Sequence, residues 1–207
     1  MRKFIVSDLH GNGEVYDSIM AYLDNISVID DVELYINGDL FDRGIDSFRM
    51  LEDVVNRIVN GDRFSIHYLA GNHELMMYQA LLNLKKSEWI SPWCDWLNNG
   101  GWFIECELFD RNDRYEKCLE FRDFLGKLRL YHVFSETVNN NPILLVHAQP
   151  PKNIVVPCNK KICDNDKDVF KMVWTRKDEY DGFLASVFVR HNNMGKNGYL
   201  TIWTYTC

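Results

Sequence analysis

Gly71-Asn72-His73-Glu74 closes the apolar run Phe64 to Ala70, and its Asn-His pair stands where a buried strand would emerge. Two further clusters precede it in the same setting. Asp8-Leu9-His10-Gly11-Asn12 follows Lys3 to Ser7, and Gly38-Asp39-Leu40-Phe41-Asp42-Arg43-Gly44 follows Val32 to Asn37. One Asp-x-His pair arises by chance, and a lone acidic residue at a strand end is more often a helix cap. Three polar clusters in this order point to a hydrolase built around two metal ions.

Working outward, the runs that end at these clusters, with Ile143 to Val146, are short and rich in β-branched and aromatic residues, the pattern of strands buried on both faces. Between them, Val15, Ile19, Tyr22, Leu23 and Ile26 recur at helical spacing, as do Phe48, Leu51, Val54, Val55 and Ile58. The β-α-β-α-β order predicts an α/β fold with right-handed crossovers and an at least partly parallel sheet. Sites in such sheets gather beyond the carboxyl ends of the strands, where all three clusters fall.

Glu74 to Leu84 reads as a third helix, with Met76 and Met77 as core residues. Residues 86–127 break the alternation with Trp89, Trp93, Trp96 and Trp102 and a helical stretch carrying Tyr115, Leu119, Phe124 and Leu128, which predicts a helical insertion beside the site. Leu128 to Glu136 and Pro142 to Val146, joined through Asn139-Asn140-Asn141, read as a hairpin, and Asn159 to Asp168 as a loop. No repeat or low-complexity tract interrupts the chain, so residues 1–207 are expected to form a single domain with that insertion.

The composition agrees. A chain of 207 residues with 46% apolar and 14% aromatic residues has ample material for one core. A formal charge of −7 argues against a broad nucleic-acid or anionic-membrane surface while leaving room for a local basic pocket. No run approaches the ~18 apolar residues of a membrane span, and the N-terminus lacks a secretory pattern, so a cytoplasmic location is expected. The six cysteines form no paired framework and read as reduced thiols.

At a strand end, residues two apart point the same way, so Asp8 and His10 are expected to reach one cation together. Asp39 offers two carboxylate oxygens and can bridge two cations ~3.5–4 Å apart. Asn72 is a neutral oxygen donor, His73 an ionisable proton donor, and His147 stands at the end of another apolar run. Asp42 is placed to orient His73, and the Arg43 and Arg176 guanidiniums match phosphate oxygens. A donor set of carboxylate, amide and imidazole without thiolate favours Mn²⁺, Fe, Zn²⁺ or Mg²⁺. Two such ions lower the pKa of a shared water and stabilise the charge of an in-line transition state, which suits phosphate-ester hydrolysis.

Together the three clusters resemble the signature of the calcineurin-like metallophosphoesterases, and the Asp-Arg-Gly ending resembles the protein serine/threonine phosphatase branch. Trp96-Leu97-Asn98-Asn99-Gly100-Gly101-Trp102 and Trp174-Thr175-Arg176 look like elements of the small bacterial and phage-type enzymes of that branch. The resemblance implies a four-layer α/β/β/α sandwich with mixed central sheets, two metal ions, usually Mn²⁺, and a bridging hydroxide. It also implies that Asp8, His10 and Asp39 hold one ion and Asp39, Asn72 and His147 the other. His73 would be the general acid paired with Asp42, and Arg43 and Arg176 would contact the substrate phosphate.

Two departures stand out. Ala70 occupies the place of an arginine that precedes Gly-Asn-His in the phosphatase branch. The late Gly-His-Thr segment is missing, and either His191 supplies its ligand or the segment has been shortened. The expected activity is therefore a metal-dependent phosphomonoesterase acting on phosphoserine or phosphothreonine in proteins. The alternatives are a diadenosine tetraphosphate hydrolase or other small-molecule phosphoesterase, and a catalytically silent phosphate-binding homologue.

Overall fold

The computed structural model describes residues 1–82, 92–138, 141–150, 158, 160–164 and 167–174, together with the backbone of 184–189 and 200–205. The chain begins with strand β1 (Arg2–Val6), helix α1 (Gly13–Ile26), β2 (Val32–Asn37), α2 (Ser47–Asn60), β3 (Ser65–Leu69) and α3 (Asn72–Leu81). The three strands form one parallel sheet in the order β1-β2-β3, with Val6 opposite Ile36 and Asn37 opposite Leu69. Central β2 is buried along almost its whole length, whereas the first residues of both edge strands are exposed, so burial on both faces holds in full only for β2.

The helices start where side chains can meet their free N–H groups. The Asn12 carboxamide oxygen accepts from Val15 N (3.2 Å) at the head of α1. Glu74 at the third position of α3 accepts from Gly71 N (2.7 Å), half of a capping box.

Alternation along β2 sends Leu34 and Ile36 into a large apolar cluster shared with Tyr16, Met20 and Leu23 of α1 and Phe48, Leu51, Val54 and Val55 of α2. Each such side chain, fully buried, contributes about 1.5–3 kcal/mol. Tyr35 points the other way, into a smaller cluster with Leu69, Phe134 and Leu145. The parallel sheet is thus covered by helices on one face and by a second, antiparallel pair on the other.

That pair is β4 (Tyr131–Val138) and β5 (Asn141–Val146), the hairpin expected from the sequence. Before it come α4 (Pro92–Trp96), a turn kinked at Gly100 (Leu97–Gly101), α5 (Trp102–Phe109) and α6 (Arg114–Leu125). After it come α7 (Lys167–Trp174) and the antiparallel pair β6 (Leu184–Val189) and β7 (Leu200–Tyr205). The architecture is mixed α/β, and no helix among the described residues is long and apolar enough to cross a membrane.

Two helices are rotated from the apolar stripes read in the sequence. In α1 the buried residues are Tyr16, Met20 and Leu23, while Tyr22 lies 53% exposed, edge-on to Phe4. In α6 the buried stripe is Cys118, Phe121 and Leu125, with Tyr115 exposed. Ile19, Ile26 and Phe124 still pack half-buried against the core, so within each wide apolar arc tertiary contact rather than spacing selects the fully buried residues.

Candidate active site

The chain leaves β1 and β2 through left-handed backbone. Asp8, His10, Asp39, Asp42 and Arg43 have φ between 47° and 70°, and they are all the positive-φ residues other than glycine among the described residues. Asp and His tolerate this region better than most side chains, but it still costs energy, and such residues gather at functional sites. Gly38 (φ 79°) is required by space as well, since a Cβ there would stand 2.6 Å from Gly71 Cα and 2.7 Å from His147 Nδ1.

Left-handed turns, not strand alternation, present Asp8 and His10. β1 ends at Val6, so strand alternation does not carry on through Asp8 and His10. The Asp8 carboxylate converges with Asp39 and His147, whereas His10 converges with Asp39 and His73. Asp39 is common to both groups.

Three imidazoles are tied down by their Nδ1 atoms. His10 Nδ1 donates to the Phe41 carbonyl (3.3 Å), His147 Nδ1 to the Asn37 carbonyl (2.8 Å) and His73 Nδ1 to Asp42 Oδ2 (2.8 Å). A carbonyl can only accept, so neutral His10 and His147 present lone pairs at Nε2. Asp39 Oδ2 lies 3.7 Å from His10 Nε2 and 3.5 Å from His147 Nε2, and Asn72 Oδ1 is 3.2 Å from the latter. His147 Nε2, Asp39 Oδ2 and Asn72 Oδ1 are thus acceptors facing one another, an arrangement that a cation satisfies.

The electrostatics fit the same reading. Asp39 is 1% exposed, and burial raises its carboxyl pKa against the pull of His147 and His73. A carboxylate so placed gains from a neighbouring positive ion. The His10 pKa falls to about 4, first through burial, then through His73 and Arg43, which keeps its ring neutral. Burial alone would lower His73, but the hydrogen bond it donates to Asp42 and the charge of Asp39 outweigh it and leave the pKa raised. Asp42 itself rises to about 6, chiefly because it is buried. Arg43 projects between the imidazoles, with Nη1 3.2 Å from His10 Nε2 and Nη2 3.0 Å from His73 Nε2.

Asp8, His10, Asp39, Asp42, Arg43, Asn72, His73 and His147 are therefore brought together. Arg176 and His191 lie outside the described residues. Reasoning from the sequence missed the supporting shell. Glu74, 0% exposed, accepts from Asp39 N (2.9 Å), Leu40 N (3.1 Å), Gly71 N (2.7 Å) and the Tyr68 hydroxyl (2.6 Å), and so fixes the loop that carries Asp39. Ser7 donates to Asp8 and to the Asn37 carbonyl. The Asn37 amide in turn donates to Val146 O (3.3 Å), linking β2 to β5 beside His147. In the sequence Glu74 stands only as the last residue of the Gly71-Asn72-His73-Glu74 cluster, with no partner legible for it.

The family model for calcineurin-like phosphoesterases matches residues 1–203. This chain belongs to that family. Its residues supply candidate ligands for the divalent ions the family implies.

A comparison with curated proteins returns no match. Among solved structures, a cold-active protein-tyrosine phosphatase of a psychrophilic Shewanella species is 18% identical, with a TM-score of 0.33. A point mutant of a cold-active protein tyrosine phosphatase is 19% identical with the same TM-score. Each match covers 65% of this phosphoesterase and 41% of the other chain, so the protein spans less than half of their length.

Proposed function

We propose that this phosphoesterase is a metal-dependent protein serine/threonine phosphatase that uses two divalent ions, preferably Mn²⁺, with Fe or Zn²⁺ as substitutes. The observation that carries the reading is Asp39 Oδ2 facing the Nε2 atoms of both His10 and His147, with His73 and Asp42 alongside. Asp8, His10 and Asp39 would hold one ion and Asp39, Asn72 and His147 the other, with His191 as a further candidate ligand. When bound, two such ions lower the pKa of a water and neutralise phosphoryl charge.

The chain's own residues do the rest. Arg43, and Arg176 with it, pairs with the phosphoryl oxygens and sets the ester bond in line with the incoming water oxygen. As the P–O ester bond breaks, His73 Nε2 gives its proton to the departing alkoxide, and Asp42 at 2.8 Å stabilises the imidazolium before transfer. The surrounding fold is proposed to be a four-layer α/β/β/α sandwich, one domain over residues 1–207 with a helical insertion at 86–127, working in the cytoplasm.

One observation favours a second reading, a diadenosine tetraphosphate hydrolase. Ala70 is 0% exposed in the apolar core and brings no guanidinium to the site. Parallel assays of a phosphoserine peptide and of diadenosine tetraphosphate, both with Mn²⁺, decide between them. The peptide is expected to be cleaved faster, and faster cleavage of the dinucleotide would overturn the phosphatase assignment. Chelation should abolish either activity and added Mn²⁺ restore it.

A further inference from the structure

We infer that Trp96 is a positioning residue for the proton donor: its indole N–H holds the Asp42 carboxylate in the orientation from which Asp42 supports His73. This inference rests on His73 acting as the general acid.

Trp96 ends α4 and is 0% exposed. Its Nε1 lies 3.1 Å from both oxygens of Asp42, so one proton is shared between them. Asp42 Oδ2 also accepts from His73 Nδ1. The carboxylate is thus held from two sides, by the imidazole it orients and by an indole that cannot ionise or accept. An unanchored Asp42 would be free to rotate its oxygen away from His73, and the imidazole would lose both its alignment and the charge that favours its protonated form.

The indole is in turn fixed by the kinked turn that follows it. A Cβ on Gly101 would stand 2.3 Å from Trp96 Cε2 and 2.5 Å from Nε1, so the ring lies flat against a residue that must have no side chain. Trp93 packs edge-on to the same ring, with centroids 5.3 Å apart. One residue earlier, Gly100, with φ 110°, accepts from Arg43 N (2.9 Å). A single turn therefore holds Asp42 through Trp96 and the Arg43 backbone through Gly100.

The test uses the manganese-loaded protein and two monoesters with different leaving groups. Para-nitrophenolate departs with little need for a proton, whereas phenolate needs one. Trp96→Phe keeps the ring and deletes the donor. Manganese content should be unchanged, and kcat for phenyl phosphate should fall about tenfold, the size of one hydrogen bond to a charged group. The fall on para-nitrophenyl phosphate should stay within about twofold, because the lost term acts only through proton transfer.

In an Asp42→Asn background, Trp96→Phe should add nothing further, since the interaction is already absent. Gly101→Ala, which displaces the indole without removing it, should reproduce the same leaving-group dependence and serves where the phenylalanine variant does not fold. Equal losses on both esters, or an undiminished loss in the Asp42→Asn background, would show that Trp96 only fills space and overturn the inference. His73→Asn is the reference. If it discriminates between the esters and Trp96→Phe does not, only the role of Trp96 falls; if His73→Asn does not discriminate, the acid assignment falls and takes Trp96 with it.

Discussion

His10, His73 and His147 at the strand ends and His67 and His132 on the sheet face are both groups of partly desolvated imidazoles, yet they are built in opposite ways. In the first group every Nδ1 is committed to an acceptor, and the Nε2 atoms of His10 and His147 turn toward one carboxylate oxygen. In the second group the rings pack as aromatics. His67 stacks on Tyr35 with centroids 4.6 Å apart, and His132 meets Tyr35 and Phe134 at 4.8 Å. His67 Nε2 is buried without a hydrogen-bond partner among the described residues, and Glu33 Oε1 stands 3.9 Å away. A histidine prepared for chemistry is recognised by how its second nitrogen is anchored, and burial alone does not distinguish it.

The largest break of this contrast should come from Asp39→Asn. Removing the charge that both imidazoles face should release both ions, read by elemental analysis, and lower turnover by more than about 100-fold. Retention of both ions would mean that the convergence on Asp39 does not define the site. Glu74→Gln should act next. It replaces a carboxylate that four donors share and should destabilise the protein by about 3 kcal/mol in urea unfolding, with activity falling as the Asp39 loop loosens. Unchanged stability would show that those hydrogen bonds are made equally well to an amide.

The smallest effect belongs to the second histidine group. The His132 pKa is pushed down to about 4, first by burial and then by His67, and that of His67 is lowered chiefly by burial, with Glu33 opposing and Arg129 and Lys3 adding to the shift. In the unfolded chain a histidine titrates near ~6.5. Between those values the unfolded state binds more protons than the folded one, so stability falls as pH drops from ~6.5 toward 4. His132→Phe should remove part of that slope, raising Tm at pH 5 relative to wild type by about 2 °C more than at pH 7, a small figure because the ring is half exposed. Parallel pH profiles for variant and wild type would place the acid sensitivity elsewhere.

Much of this was legible in the sequence because the fold and the ligands obey local rules. β1, β2 and β3 are short β-branched runs, and each delivers a polar cluster at its end, so the strand order and the ligand set could be read together. What escaped depends on contacts between distant segments. The four donors on Glu74 come from Asp39, Leu40, Tyr68 and Gly71, and the Trp96 bond to Asp42 spans 54 positions. The left-handed backbone at Asp8 and His10 also escaped, since strand alternation stops before either residue. The rotated stripes of α1 and α6 show tertiary packing overriding spacing.

The left-handed backbone at Asp8, His10, Asp39, Asp42 and Arg43 has a consequence for anyone redesigning this protein for robustness. A search for stabilising changes would be drawn to these positions, because glycine there relieves a torsional penalty of roughly 1–3 kcal/mol each. Each such relief would delete a donor or a charge on which turnover depends. Thermal hardening therefore has to be sought in the helices and on the outer surface, and a clone selected for heat resistance alone that carries glycine at one of these five places should be a well-folded, inactive protein.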